Sequence, residues 1–311
     1  MIGIRDIAVH LPDTTVDNLV SGARFGEEPS FVTDKIGARQ LRVLSDNEDT
    51  SDLVVAAVER LLADSALVRA NIDALVVVTQ NPDGFGLPHT AALAHERLEL
   101  SQAVAAFDVS LGCSGYVYGL SIVRGLMEQA GLTNGILVTA DPYSKIVDPK
   151  DRNTALLFGD AATATWLSKD GLWKYGTPIL ATDGAGWSNL HVDEGRHLVM
   201  NGRQVFNFAA TRVPKQINEL LQQRGITPDD VDLFCLHQGS AAILDAISRR
   251  FGDLNNRFIK DMELTGNTVS SSIPILLRKH VLGSNIERVV VSGFGVGLSW
   301  ATNLIERHSY D

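Results

Sequence analysis

Residues 107–124 read FDVSLGCSGYVYGLSIVR, and the fold turns on how this stretch is read. A strand-like apolar start at Phe107 ends in small residues with Cys113 at the turn, after which Tyr116, Leu120, Val123 and Met127 recur at helical spacing. Cys113 therefore opens a helix, where unpaired backbone N–H groups and the positive end of the dipole favour a thiolate over a thiol. Gly112 and Gly115 carry no side chains, so a reacting molecule can come close to the sulfur. The same residues suit a small buried cysteine in a glycine-lined turn equally well, since free cysteine is among the most buried residue types.

The whole chain bounds the class. With 311 residues, 45% hydrophobic and 21% charged, it is globular, with a sizeable core arranged in two halves. A formal net charge of −10 argues against general nucleic-acid binding, which needs a broad basic face. Cys113 and Cys235 are the only cysteines, without a CxxC pair or metal-ligand spacing, so neither a disulfide framework nor a zinc site is expected and a reducing compartment is. The opening MIGIRDIAVHLPD has charges inside its apolar run, unlike a secretory segment, and no apolar run approaches the ~20 residues of a membrane span. A cytoplasmic protein with no membrane association is the expectation.

Along the chain, residues 2–9 form a strand, followed by a polar, weakly patterned stretch to about Glu48. A helix from Thr50 (DTSDLVVAAVERLLADSAL) leads into the buried strand ALVVVTQN, and a second helix near Pro88 delivers the chain to the Cys113 stretch. GILVTAD at 135–141 is a further strand; PYSKIVDPKDRN at 142–153 is a polar excursion; TALLFGDAATATWL reads as a strand pair turning at Gly159. The segment 169–203, rich in Gly, Trp, Asn and Asp, separates an N-terminal half, 1–168, from a C-terminal half, 169–311.

The second half repeats the first. TRVPKQINELLQQRGITPDDVDLFCLHQGS matches the order of AAVERLLADSALVRANIDALVVVTQNP: amphipathic helix, turn, acidic residue, buried strand, Gln. FIKDMELTGNTVSSSIPILL answers FDVSLGCSGYVYGLSI, setting Asp261 opposite Asp108 and Asn267 opposite Cys113 to within a residue, and IERVVVSGFGVGLSWATNLIE answers GILVTAD and the strand pair after it. Three matched segments in one order indicate internal duplication. Two similar α/β halves facing across a central layer bring matching loops together, so Cys113 from one half should meet His237 and Asn267 from the other. Singly, His237 suits a satisfied core histidine and Gly266-Asn267 an ordinary turn. Together with a thiol, they supply a nucleophile and hydrogen-bond donors for a developing oxyanion. GFGVG is no dinucleotide fingerprint: its spacing is G-x-G-x-G and no helix clearly follows.

These motifs carry a family resemblance. FDVSLGCSG, DPKDRNTALLFGDAA, HLVMNGRQVF, HQGS, GNTVSSSIP and GFGVGLSW, in this order and spacing, resemble the β-ketoacyl-acyl-carrier-protein synthase III family over nearly the whole chain. The resemblance implies a thiolase-like fold, internally duplicated, layered α-β-α-β-α. It implies that Cys113 accepts an acyl group from an acyl thioester. His237 and Asn267 would then donate to a malonyl thioester carbonyl, so that loss of CO2 leaves an enolate that attacks the acyl-cysteine. No metal or resident cofactor is implied; acyl-coenzyme A and acyl-carrier protein are substrates and partners, and the family is homodimeric.

The resemblance also assigns substrate-binding positions. Arg152 matches an adenine-stacking arginine, with Phe31 standing where the family has a tryptophan. Phe206 and Gly295 line the substrate path, and Val296, where glycine is usual, would narrow the acyl pocket or adjust its loop. Leu87 matches a position that reaches across a dimer to gate the partner's acyl tunnel. After His237 the run Gln238-Gly239-Ser240-Ala241-Ala242 lacks a family arginine, while Arg249 and Arg250 keep part of a basic patch for an acidic carrier protein; a helix-terminal charge pair explains them as well. Two other activities fit the same residues less well: passing the acyl group to a non-malonyl nucleophile, which has no enolate for Asn267 to hold, and a non-catalytic acyl-binding partner subunit, which has no need of all three polar groups.

Overall fold

The computed structural model describes residues 2–308. Its principal elements, numbered in chain order, are β1 (Gly3–His10), α1 (Thr50–Asp64), β2 (Ala74–Val78), α2 (Thr90–Arg97), β3 (Ala105–Val109), α3 (Gly115–Ala130), β4 (Asn134–Ala140) and β5 (Ala162–Ser168). The second part of the chain adds β6 (Trp173–Tyr175), β7 (Ile179–Thr182), α4 (Gly202–Arg224), β8 (Leu233–Leu236), α5 (Ala241–Ser248), α6 (Ser272–Leu276), β9 (Arg288–Gly295) and β10 (Ser299–Arg307).

The strand order makes the duplication explicit. Ten strands bond in the order β8-β9-β10-β6-β1-β5-β4-β2-β3, with β7 also on β10. In the first copy β2 is parallel to β4 and β3, β4 is antiparallel to β5, and β5 is antiparallel to β1. In the second, β8 is parallel to β9, β9 is antiparallel to β10, and β10 is antiparallel to β6 and β7. The partner expected for β3 has shrunk to one parallel bridge, Phe234 with Phe258. The copies join where β1 meets β6 through the pairs Gly3–Lys174 and Ile4–Trp173.

Side-chain alternation then builds the layers. Along β2, Val76 and Val78 face the central helices, while Leu75 and Val77 face α1 and α2. Along β9, Val289 and Val291 face inward and Val290 packs with α4 and α5. The central layer is α3 and α6: Tyr116, Leu120, Val123 and Met127 share one cluster with Ile273 and Leu276 and with strands of both copies. Burial on all sides explains why β2, β4 and β9 read as nearly unbroken apolar runs. Local signals agree: Asp49 caps α1, its side chain accepting from Thr50 N–H at 2.7 Å while Asp52 accepts from Asp49 N–H at 2.7 Å.

Three sequence expectations change. Thr154 to Leu167 is not a strand pair: Arg152–Ala155 is a short helix, and a single strand, β5, comes after it. Gly159 instead packs tightly against the Thr265 carbonyl, tying this loop to the Asn267 loop. The segment 169–203 is more than a connector, for it supplies β6 and β7 to the sheet and a hairpin, Leu190–Val192 with Leu198–Met200. The polar stretch before Glu48 holds a helix, Asn18–Arg24, which Asp17 caps by accepting from Leu19 and Val20 N–H.

Leu120 is 0% exposed between both sheets. Leu120→Ala is expected to lower unfolding free energy by about 2–5 kcal/mol in urea denaturation; a change within error would contradict the packed central layer.

Candidate active site

Cys113 lies just before α3, whose N-cap is Ser114, and the turn closes through Gly115 N–H donating to the Gly112 carbonyl at 2.7 Å. From the other copy, His237 comes directly after β8, its N–H donating to Ser292 O at 2.9 Å, and Asn267 sits on the loop before α6. All three line one cavity of about 170 Å³. The convergence inferred from the repeat is therefore met in three dimensions, with Phe31, Arg152, Phe206 and Gly295 on the walls of the same space.

The charge state of the sulfur differs from the sequence expectation. Cys113 is 4% exposed, and burial, reinforced by the charge of Asp141, pushes its thiol up to about 12, against the pull of the Val296 and Cys113 amides. The helix end does not outweigh desolvation, so the resting group is a thiol. Asp141, buried at the end of β4, is itself raised to about 7 by desolvation, although it accepts from Gln80 N–H at 2.6 Å and from Ser270 Oγ.

Burial also lowers His237 to about 4, leaving a neutral ring at physiological pH. Its Nδ1 stands 3.1 Å from the Val269 carbonyl and 2.9 Å from Ser272 Oγ, and Ser272 Oγ is 2.9 Å from that same carbonyl. A carbonyl only accepts, so this geometry assigns the ring proton to Nδ1 and leaves Nε2 with a lone pair. In this tautomer Nε2 is an acceptor in the free protein, and the donor role expected of His237 requires the ring proton on Nε2. Ser272 Oγ can also turn its proton onto Nδ1, which would place the ring proton on Nε2. Asn267 is held by Val269 N–H donating to Oδ1 at 3.0 Å, while its Nδ2 donates weakly to Gly239 O at 3.3 Å. Gln238 is structural, bonded to Leu236 O, Ile259 O and Asp261 N–H.

The remaining positions divide. Arg152 stacks on the Phe31 ring at 5.5 Å and pairs with Glu27, so the two residues assigned to an adenine meet each other at the cavity mouth. Phe206 projects from the first turns of α4, a helix that starts at Gly202 within the HLVMNGRQVF motif. Val296 packs with the apolar cluster around Cys113. Leu87 is 88% exposed and does not line the cavity of its own chain; Arg249 and Arg250 are exposed beyond the end of α5. Sequence reasoning missed Val269 and Ser272, which orient the histidine, and Leu190 and Met200, which close the cavity from the 190–200 hairpin. The run VSSS beside Asn267 was the available signal for the first two. Among the described residues no group of three or more His, Cys, Asp or Glu side chains could hold a metal ion, and no helix is long and apolar enough to cross a membrane.

Comparison with known proteins agrees with this architecture. The family described as 3-oxoacyl-[acyl-carrier-protein (ACP)] synthase III matches residues 107–186, and its C-terminal counterpart matches 221–307. The chain is 32% identical to the beta-ketoacyl-[acyl-carrier-protein] synthase III of Lactococcus lactis subsp. cremoris strain SK11, covering 97% of this chain and 98% of that one. It superposes on the synthase III structure from Thermus thermophilus with a TM-score of 0.90 at 31% identity, over 99% of this chain and 100% of the other. The priming beta-ketosynthase from the R1128 polyketide biosynthetic pathway gives 0.89 at 26% identity, over 99% and 97%. With both family regions matched and full-length relatives above 30% identity, the chain belongs to the β-ketoacyl-acyl-carrier-protein synthase III family of thiolase-like condensing enzymes.

Proposed function

We propose that the chain catalyses decarboxylative Claisen condensation in fatty-acid or polyketide synthesis, with Cys113 as acyl carrier and His237 and Asn267 as the groups that hold the enolate. The observation that carries this reading is the common cavity: one thiol from the first copy and two polar side chains from the second. In loading, the Cys113 S–H proton passes to the lone pair of His237 Nε2 and the sulfur attacks the donor thioester carbonyl. The oxyanion is met by the amides of Cys113 and Val296, the groups that already favour charge at this sulfur. The donor C–S bond breaks, and the departing thiolate recovers the proton from Nε2.

In the second half a malonyl thioester occupies the cavity. Its C–C bond to the carboxylate breaks, CO2 leaves, and the electron pair becomes an enolate whose oxygen lies between Asn267 Nδ2–H and His237. In this reading Ser272 lets His237 serve both halves, since its hydroxyl can accept from Nδ1–H or donate to bare Nδ1. The carbanion attacks the acyl-cysteine carbonyl, the bond to Sγ breaks, a β-ketoacyl thioester is released, and the Cys113 thiolate so freed takes up one proton from water to restore the resting thiol. Transfer to a non-malonyl nucleophile would leave Asn267 without a task.

Coenzyme A and carrier protein remain the thioester arms to be told apart. An adenine must part Arg152 from Phe31 and Glu27, whereas a carrier-borne arm need not, and Arg249 and Arg250 offer a basic surface to an acidic carrier. A homodimer is part of this reading. Exposed Phe85 and Leu87, 78% and 88%, lie on one loop, and Phe85 stacks under Arg196 of the neighbouring hairpin, where Val192 and Val199 are also exposed. A reduced Cys113 suits a cytoplasmic enzyme.

His237→Ala and Asn267→Ala are each expected to slow CO2 release from a malonyl thioester about 10²–10³-fold, the size of a lost oxyanion donor; near-normal release in both would remove those roles. Iodoacetamide modification of Cys113 in the free protein should keep rising with pH past the ordinary thiol range, because burial holds the proton on sulfur. A plateau already reached at neutral pH would show a helix-stabilised thiolate instead.

A further inference from the structure

The two stretches that read as polar excursions, the run before Glu48 and residues 142–153, fold against each other and leave a second cavity between them. It measures about 510 Å³ against about 170 Å³ for the catalytic one, and Phe158 is the one residue lining both. Its walls are mainly apolar: Phe25, Val43 and Val147, left partly exposed by the cluster around Cys113, together with Leu41 and Phe158. In the polar part of the lining, Ser21 Oγ donates to the Asp17 carbonyl at 3.1 Å and Ser144 Oγ to Asp160. Arg24 and Lys150 are unspent: both are exposed, and among the described residues neither side chain has an ion pair or hydrogen bond. The nearby cations Arg152 and Lys145 do find carboxylates, on Glu27 and Asp49. The chain has 37 acidic side chains against 27 Lys and Arg, yet no Asp or Glu stands among the described residues that line this cavity.

We propose that this cavity is a binding site for a fatty acid, with the alkyl chain against Phe25, Val43 and Val147 and the carboxylate on Arg24 and Lys150. Charge and polarity together select this class. A neutral alkyl compound would leave both cations without a partner, and a small anion such as phosphate would leave the apolar wall in water. A carboxylate suits the planar fork of Arg24, and Lys150 adds a second point charge. The volume of about 510 Å³ lies within the range of about 300–1,000 Å³ typical of small-molecule sites. Apart from Phe158 the catalytic cavity shares no residue with this one, so the site takes no part in the condensation and can be tested apart from it.

The probe is laurate, titrated calorimetrically beside 1-dodecanol, which has the same chain length and no charge. One laurate per chain should bind at least about tenfold more tightly than dodecanol, the size of a charge-assisted hydrogen bond. Arg24→Gln with Lys150→Gln changes only exposed side chains, and it is expected to remove that preference while dodecanol binds as it does to the wild type. A crystal of the laurate complex should place the chain against Phe25 and Val147. No laurate binding, laurate bound no more tightly than dodecanol, laurate held equally well by the double variant, or a chain seated only beside Cys113 would each overturn the inference.

Discussion

The structure depends on how closely the Cys113 turn sits against β9. A Cβ on Gly293 would stand 2.5 Å from the Cys113 carbonyl oxygen and 2.8 Å from Ser114 Cα, and one on Gly295 would stand 2.6 Å from Sγ. Only glycine permits this approach, and it is an approach between copies: Cys113 is carried by the first and the glycines by the second. Bonds across the same boundary fix it, from Ser114 Oγ to Ser299 Oγ at 2.8 Å, from Ser271 Oγ to Thr139 Oγ1 at 2.9 Å, and from Ser270 Oγ to Asp141. Because α3 and α6 are buried by both sheets, the turn that carries Cys113 and the loop that carries Asn267 are anchored to the packed central layer.

Such a location has an electrostatic consequence. Burial that seats the sulfur also removes the water that would solvate a thiolate, and Asp141 adds to the effect. The same burial keeps His237 neutral. Thiol and imidazole therefore rest uncharged, and in the proposed reaction charge would appear only when a thioester carbonyl arrives to receive it. In the reaction proposed here, charge in so dry a site would be met by fixed dipoles, the amides of Cys113 and Val296 and the carboxamide of Asn267, which need no reorganisation.

Much of this was legible because the chain states its core twice. The apolar runs of β2 and β8, the helix spacing of Tyr116, Leu120, Val123 and Met127, and the alignment of Asn267 with Cys113 all derive from periodicity and repeat order. What escaped the sequence was set by contacts distant along the chain. The tight seat of Gly159 comes from the Thr265 carbonyl, which no local pattern around residue 159 encodes. The protonation of Cys113 escaped for a related reason: helix position is visible in sequence, but the depth at which that helix is buried is not. The tautomer of His237 hangs on Val269 and Ser272, more than thirty residues away.

The central claim is that one sulfur receives an acyl group and surrenders it to a carbanion generated in the same cavity. A pulse–chase experiment addresses it directly: load the protein from a labelled acyl thioester, remove the donor, add malonyl-carrier protein, and track label on Cys113 together with CO2. The account predicts that label leaves the cysteine as β-ketoacyl thioester with one CO2 for each acyl group discharged. Label that stays on Cys113 while CO2 forms, or leaves by hydrolysis without CO2, would contradict it.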